Sequence, residues 1–177
     1  MSEATTDKDF GYKAILREVD RAHDAFVDVG YWGAKTHPDD NSATIPYIAS
    51  VHEYGTKPGT EPEIPERSFI RSTTDENRAK YQALLDQGLM RIIMRKATVK
   101  AVLSGTGEII LSDIRAKITK GDPSWQALAE STKAKRRKGP GKHGSGHHPL
   151  FDTGTLAKSG GTRVVISGTQ VLERGRN

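Results

Sequence analysis

The stretch VHEYGTKPGTEPEIPERSFIRST, residues 51–73, combines features of two kinds of protein. It begins with His52 and Glu53 side by side, just ahead of Gly55, which are residue types that enzymes use to transfer protons. It ends with prolines and the segment RSFIRST around Phe69, which contains no histidine, aspartate or glutamate. The stretch therefore belongs either to an active site or to a structural corner, and the two alternatives lead to different functions.

The residues of this stretch do not fit known catalytic or metal-binding patterns. Adjacent residues of a helix do not face each other, so His52 and Glu53 do not form an acid/base pair on one helical face. A zinc-protease helix needs a second histidine four residues after the first, and Thr56 stands there. Elsewhere the chain has no phosphate-binding glycine motif and no nucleophile-elbow pattern, and HGSGHH (residues 143–148) lacks the ligands of a closed metal site. We therefore predict no catalytic residue, no metal site and no cofactor, and we do not expect this protein to be an enzyme.

The spacing of apolar residues predicts an α+β domain with a small antiparallel sheet packed with two longer helices, plus extended loops. Thr44 is a suitable N-cap and Gly55 a suitable stop for a short helix between them. Before residue 67 we expect a helical pattern over 10–26, a strand over 25–33, a turn-rich loop over 34–44, the capped helix and an extended loop over 56–66.

The second part of the chain contains the two longer helices. The first is expected to open at Asp75 and Glu76 and to bury a set of apolar side chains, namely Tyr81, Leu84, Leu85, Leu89, Ile92 and Ile93. The second runs from Val99 to Ile118 and is stopped at Gly121, and glycines at 105 and 107 suggest a bend near its middle. A short strand at 67–72, a brief helix opening at Asp152 or Thr153 and a hairpin about Gly168 complete the expected elements.

Composition and charge narrow the class of protein further. The 177 residues are 34% hydrophobic and include no cysteine, which rules out disulfides and thiolate metal sites. Residues 1–66 hold six Lys/Arg and thirteen Asp/Glu, whereas residues 67–177 hold twenty-one and nine. Such a split favours head-to-tail contact between copies or a face turned toward a polyanion, although two solvated faces would show it too. We expect a flexible N-terminus over 1–9 and one domain over 10–177.

A cluster of cations lies in the segment KAKRRKGPGK, residues 133–142. Glycines and prolines follow, so we predict a flexible basic loop over 133–148. Its cations expected to face a polyanion such as DNA, or another partner, are Lys133, Lys135, Arg136, Arg137, Lys138 and Lys142. No aromatic side chain is available there to stack on bases, so any contact with phosphates would be through charge and independent of sequence.

Two blocks of the chain resemble a known family. IASVHEYGT and IPERSFIRST look like the signature of tail-completion, or neck, proteins of tailed bacteriophages, including the virion-morphogenesis proteins of Mu-like phages. SWQALAESTKAKRRK and PLFDTGTLAKS are similar to a second block of the Mu-like group. The resemblance covers residues 25–167. In the first block the matching positions are Glu53, Tyr54, Gly55, Thr56, Ile64, Pro65, Arg67, Phe69, Ile70 and Arg71.

The resemblance implies a structural protein of the virion neck. It would form a ring, hexameric or dodecameric, that joins or completes the tail at the head connector, with DNA passing through the lumen and no membrane involved. Its partners would be other copies, head connector or adaptor proteins, and tail terminator or tail tube proteins. The alternative is a cytoplasmic protein that binds nucleic acid without sequence preference through the basic loop.

The matching residues also predict a subunit interface. Pro65 biases the segment before it toward extended backbone, and Phe69 is expected to anchor that segment to a core or to a neighbouring copy. On a strand, Arg67 and Arg71 would share one face and meet the acidic first third of a neighbour. A carboxylate near a helix C-terminus is unfavourable unless a cation compensates it, so Glu53 should pair with one of these arginines. The expected interface set is Glu53, Tyr54, Gly55, Pro65, Arg67, Phe69 and Arg71.

Overall fold

The computed structural model describes residues 9–37, 40–138, 149–151 and 154–175. Within these ranges the protein has an α+β fold. The helices are α1 (Tyr12–His23), α2 (Ile45–Tyr54), α3 (Arg71–Glu76), α4 (Arg78–Ile93), α5 (Val99–Lys120), α6 (Glu130–Lys138) and α7 (Thr155–Ser159). The strands are β1 (Phe26–Gly30), β2 (Thr36–His37), β3 (Asp40–Thr44), β4 (Gly161–Ile166) and β5 (Thr169–Gly175).

The main sheet is antiparallel, with the strand order β1-β4-β5. The predicted hairpin about Gly168 is confirmed: Ser167 and Gly168 both have positive φ, the geometry of the tight turns that match the twist of a hairpin. The strand β1 pairs with β4 although 130 residues of sequence separate the two, with Phe26 opposite Val165. The three-stranded sheet therefore forms only when the segment that contains β1 pairs with the distant segment that contains β4.

Helix α5 lies across this sheet and organises the core. Its residues Leu111, Ile114 and Ile118 are almost fully buried. Gly107 allows the close approach, because a Cβ there would meet the side chain of Val27 on β1 at 2.7 Å. The core cluster around the C-terminal half of α5 contains Ile45, Ala49, Phe69, Ile114, Ile118, Leu150, Leu156 and Ala157. Burying each large apolar side chain of this set stabilises the fold by about 1.5–3 kcal/mol.

Several of the boundaries expected in the first half of the chain are confirmed, and some elements are shorter than expected. Helix α2 has Thr44 as its N-cap and Gly55 as its C-cap, as predicted. The first helix ends at His23 and not at Phe26, because Phe26 already belongs to β1, and that strand ends at Gly30. The predicted loop over 34–44 contains the short pair β2 and β3, whose sequences TH and DNSAT show no alternation of apolar and polar residues.

The prediction of a strand at 67–72 is wrong. Residue 71 opens the helix α3, and the backbone just before it turns its N–H groups toward α2. Asp75 and Glu76 end α3 and do not open the long helix, which begins at Arg78. The apolar and charged residues of this segment fit a strand by alternation alone, but a carboxylate from another element stabilises the helical turn.

The burial expected along α4 holds for only part of the set. Tyr81 and Ile92 are buried, whereas Leu85, Leu89 and Ile93 are exposed. The exposed residues follow one another at spacings of four and so lie along one stripe of α4. Helix α5 runs without a break over 22 residues, through Gly105 and Gly107.

The basic segment is also partly different from the prediction. Residues 133–138 form the C-terminal part of α6 and are therefore not a loop. The remainder, 139–148, with Lys142, lies outside the described residues, as do residues 1–8 of the expected flexible N-terminus. Helix α7 begins at Thr155, and the expected start at Asp152 or Thr153 also lies outside the described ranges.

None of the helices in the described part of the chain is long and apolar enough to cross a membrane.

Candidate functional site

Gly55 ends α2 and turns the chain so that it later returns along the helix end. Its φ is +72°, and a Cβ there would lie 2.9 Å from the carbonyl oxygen of Ile64 and from the N–H nitrogen of Glu66. The returning segment is fixed by two backbone hydrogen bonds, from Thr56 N–H to Ile64 and from Arg67 N–H to His52. Glycine is required here because any side chain would collide with the returning backbone.

The end of α2 at Gly55, the returning segment 64–70 and the start of α3 are named here the corner. The carboxylate of Glu53 lies at its centre. Glu53 is 3% exposed. It accepts five hydrogen bonds: from the N–H groups of Phe69, Ile70 and Arg71 at 2.8–3.0 Å, from the Ser68 hydroxyl at 2.8 Å, and from Arg71 Nε at 3.1 Å. The three N–H groups lie at the start of α3, where helix geometry leaves backbone donors without partners. Glu53 therefore caps α3 from a different helix.

The hydrogen bonds decide the charge of Glu53. Burial by itself would raise the pKa of this carboxyl, but the N–H groups of Ile70, Arg71 and Phe69 and the hydroxyl of Ser68 outweigh it and hold the pKa below its ordinary value of 4.5. Glu53 is therefore a carboxylate at neutral pH with its oxygens fully engaged by donors of its own chain. The expected pairing of Glu53 with Arg71 is confirmed.

Arg71 joins three parts of the corner. Its Nη2 donates to the backbone oxygen of Glu53 at 3.1 Å and to the carboxylate of Glu66 at 2.6 Å. Its guanidinium lies over the ring of Tyr54, 4.7 Å from the ring centre. Tyr54 itself is 63% exposed. The corner thus presents an aromatic ring and a guanidinium at its surface, and the guanidinium is held by Glu53 and Glu66.

Phe69 holds the corner to the core. Its side chain is fully buried and meets Tyr31 edge-on, with ring centres 6.0 Å apart. The hydroxyl of Tyr31 is buried without a hydrogen-bond partner among the described residues, and burial raises the pKa of this phenol. The carbonyl of the neighbouring Ser68 accepts from the indole N–H of Trp125 at 3.3 Å. The tryptophan-led block therefore packs against the first block.

Residues 57–63 form a loop that projects from this corner, named here the proline loop. All seven residues are exposed. Its base is closed by the backbone hydrogen bond from Thr56 to Ile64 and by the hydrogen bond from Ile64 N–H to the Thr56 hydroxyl, at 2.9 and 2.8 Å. Pro58 and Pro62 restrict its backbone further. The loop is fixed at its base, and a hydrogen bond from Thr60 N–H to the Lys57 carbonyl closes a turn within it.

The structure places the predicted interface residues in two groups. Glu53, Arg67 and Phe69 are buried in their own chain, so in this conformation their side chains cannot reach a neighbouring copy. Arg67 and Arg71 do not share a strand face, because no strand forms there. The other members, Tyr54, Gly55, Pro65 and Arg71, are exposed or partly exposed. The buried group builds the corner, and the second group lies at its surface.

The predicted connector- or DNA-facing residues are not part of this corner. Lys133, Lys135, Arg136, Arg137 and Lys138 lie on α6, and Lys133 pairs with Glu130 at 2.7 Å. Lys142 lies outside the described residues. A helix gives five of these cations a fixed backbone, in place of the flexible loop expected from composition.

Sequence reasoning missed Ser68 as a member of the corner. Its hydroxyl donates to Glu53 and also accepts from Ser72 N–H at 3.3 Å. Serine just before a helix is a common capping residue, which was the available signal. In the part of the chain that the structure describes, no group of three or more His, Asp or Glu side chains is arranged to hold a metal ion.

Comparisons of the chain with protein-family models, with curated proteins and with solved structures give no match.

Proposed function

We propose that this protein is a structural subunit of a bacteriophage neck, which assembles with other copies into a ring that joins or completes the tail at the head connector. The observation that carries the proposal is the convergence of the phage-like motif on one corner. Glu53, Gly55, Phe69 and Arg71 all serve to hold α2, α3 and the proline loop in one fixed arrangement.

The geometry of the corner suits a structural role. Five donors of the chain itself surround the Glu53 carboxylate, so it has no free oxygen with which to take a proton from a substrate. The exposed residues beside it, Tyr54 and Arg71, are of the types enriched at protein interfaces. A ring subunit needs two complementary patches, and the division between an acidic first third and a basic remainder supplies charges of both signs.

The partners in this proposal are other copies, the head connector or adaptor, and the tail terminator or tail tube proteins. The ring is hexameric or dodecameric, the site of action is the virion, and DNA passes through the lumen. The cations of α6 would line the lumen or face the connector.

The proposal is tested by disrupting the gene in the phage genome that encodes it and supplying the protein from a plasmid. Without the plasmid, we expect DNA-filled heads and unattached tails to accumulate, and the wild-type plasmid should restore infectious particles. A plasmid encoding Glu53→Gln should restore few particles, whereas Glu66→Gln, on the exposed side of the same arginine, serves as the matched control. Normal virion yield from the disrupted phage would overturn the proposal.

Virions purified in the same experiment also distinguish the neck function from the alternative, nucleic-acid binding. Mass spectrometry and antibody labelling of purified virions should find the protein at the neck. Absence from the particles, together with salt-sensitive binding of duplex DNA by the free chain, would instead favour a nucleic-acid-binding protein that uses α6.

A further inference from the structure

A groove lies between α4 and α5, near the end of the helical hairpin that they form. It has a volume of about 170 Å³ and is lined mainly by apolar and small residues, among them Leu84, Ala101, Val102, Gly105 and Ile109, with Arg91 at its edge. The open floor of the groove is at Gly105, where a Cβ would meet no atom within 4 Å. Gly88 on the facing helix differs, because a Cβ there would collide with Val102.

The end of the hairpin beside this groove is strongly basic. Arg91, Lys96 and Lys100 are exposed, and none of them forms an ion pair with a described residue. An identical groove on a second copy would carry the same charges, so groove-to-groove contact would bring like charges together. The groove favours an occupant that is acidic and narrow.

The proline loop has these two properties. Glu61 and Glu63 are exposed, and neither pairs with a cation among the residues described. The loop makes a tight turn, with a hydrogen bond from Thr60 N–H to the Lys57 carbonyl at 3.1 Å, so its tip is narrow. It loses little entropy on binding because the loop base is already fixed.

The proline loop and the groove of one chain lie toward opposite ends of α5. The corner is attached to the C-terminal end of α5, where Lys117 pairs with Glu76 of α3 at 2.6 Å. Gly105 lies twelve residues earlier on the same helix, or about 18 Å along its axis. This separation favours a loop that comes from another copy and gives a head-to-tail contact, which closes into a ring if the rotation is suitable.

We propose that the proline loop of one copy seats in the α4–α5 groove of the next, with Glu61 and Glu63 against Arg91 and Lys100. This contact would link neighbouring subunits of the proposed ring, and its biological role rests on that proposed function. The contact itself is a property of the purified chain and is testable without a virion.

The test is charge reversal in both patches, followed by sedimentation of the purified full chain. Wild-type protein should self-associate. The groove variant Arg91→Glu/Lys100→Glu and the loop variant Glu61→Lys/Glu63→Lys should each associate at least about tenfold more weakly. An equimolar mixture of the two variants should recover most of the association, because each loop then meets a groove of opposite charge. Lys120→Glu, at the other end of α5, is the matched control and should associate like wild type.

A second, uncharged variant tests the groove floor. Gly105→Leu fills the open space and should weaken association about tenfold while circular dichroism and the unfolding transition show a folded chain. A wild-type chain that is monomeric at high concentration would overturn the contact, as would a mixture of reversed variants that fails to recover. If the charge swap behaves as expected but the gene is dispensable for virions, the contact stands and the neck function fails.

Discussion

The corner at Glu53 and the outer surface of the α4–α5 hairpin differ in what they bury. The corner buries a charged group, whereas the hairpin surface leaves apolar side chains exposed. At the corner a carboxylate is buried and every oxygen has donors. On the hairpin, Leu89 and Met90 are 46% and 51% exposed, and the cations Arg91, Lys96 and Lys100 form no ion pair with any described residue. The polar groups of the corner therefore find their partners within the same chain. The hairpin surface instead carries exposed apolar side chains and cations that a partner could contact.

The largest effect is expected from Glu53→Gln. The amide replaces one acceptor oxygen with a donor that faces the backbone N–H groups of α3, so buried donors lose their partner. The free energy of unfolding should fall by about 3 kcal/mol in urea denaturation. Glu66→Gln should change it little, since Glu66 is exposed. Equal stability of the two variants would show that the corner is not the self-sufficient region that this comparison requires.

A smaller effect is expected from acid, which removes the charge of Glu53 and leaves its shape. Because the folded pKa is lowered, the stabilisation is fully present above the ordinary pKa of 4.5 and is lost as the pH falls through the folded value. Asp122 behaves in the same direction, since Lys117 and Ser124 hold its pKa low. Wild type should therefore lose stability below pH 4.5 more steeply than Glu53→Gln, which retains the contributions of Asp122 and the other carboxyls but not that of Glu53. Parallel profiles would contradict this assignment.

The smallest effect is expected on the hairpin, and it has the opposite sign. Gly105→Ala places a methyl group in open space and improves helix propensity, so the isolated chain should gain about 0.5–1 kcal/mol. Gly88→Ala is the matched control: its methyl group collides with Val102, so the same substitution should destabilise the chain. Thermal unfolding measured by circular dichroism distinguishes them. A loss of stability from Gly105→Ala would mean that the groove floor is already occupied by the chain itself.

Sequence patterns predicted the elements whose signals are local. The caps at Thr44 and Gly55, the helical run from Val99 and the tight turn at Gly168 depend on residues within a few positions of each other. The pairing of Glu53 with an arginine followed from the same kind of reasoning, because a carboxylate at a helix C-terminus needs a cation.

Patterns failed where a distant segment supplied the partner. The turn at 67–70 and the helix after it depend on hydrogen bonds from N–H groups to a carboxylate as many as 18 residues earlier. No window of sequence contains both groups in a recognisable spacing. The exposure of Leu85, Leu89 and Ile93 was missed because helical periodicity shows that an apolar stripe exists, and does not show whether the chain has an element to cover it.

Local patterns in the sequence were enough to predict an α+β chain, the approximate positions of its main helices, the hairpin about Gly168 and most of the residues that meet at the corner. Only the tertiary structure decided that Glu53 caps α3, that Phe69 belongs to the core of its own chain and that a basic groove on the hairpin lies open. The physical reason is that propensity, capping and turn chemistry act over a few residues. Burial and the satisfaction of buried charges depend instead on which segments pack together.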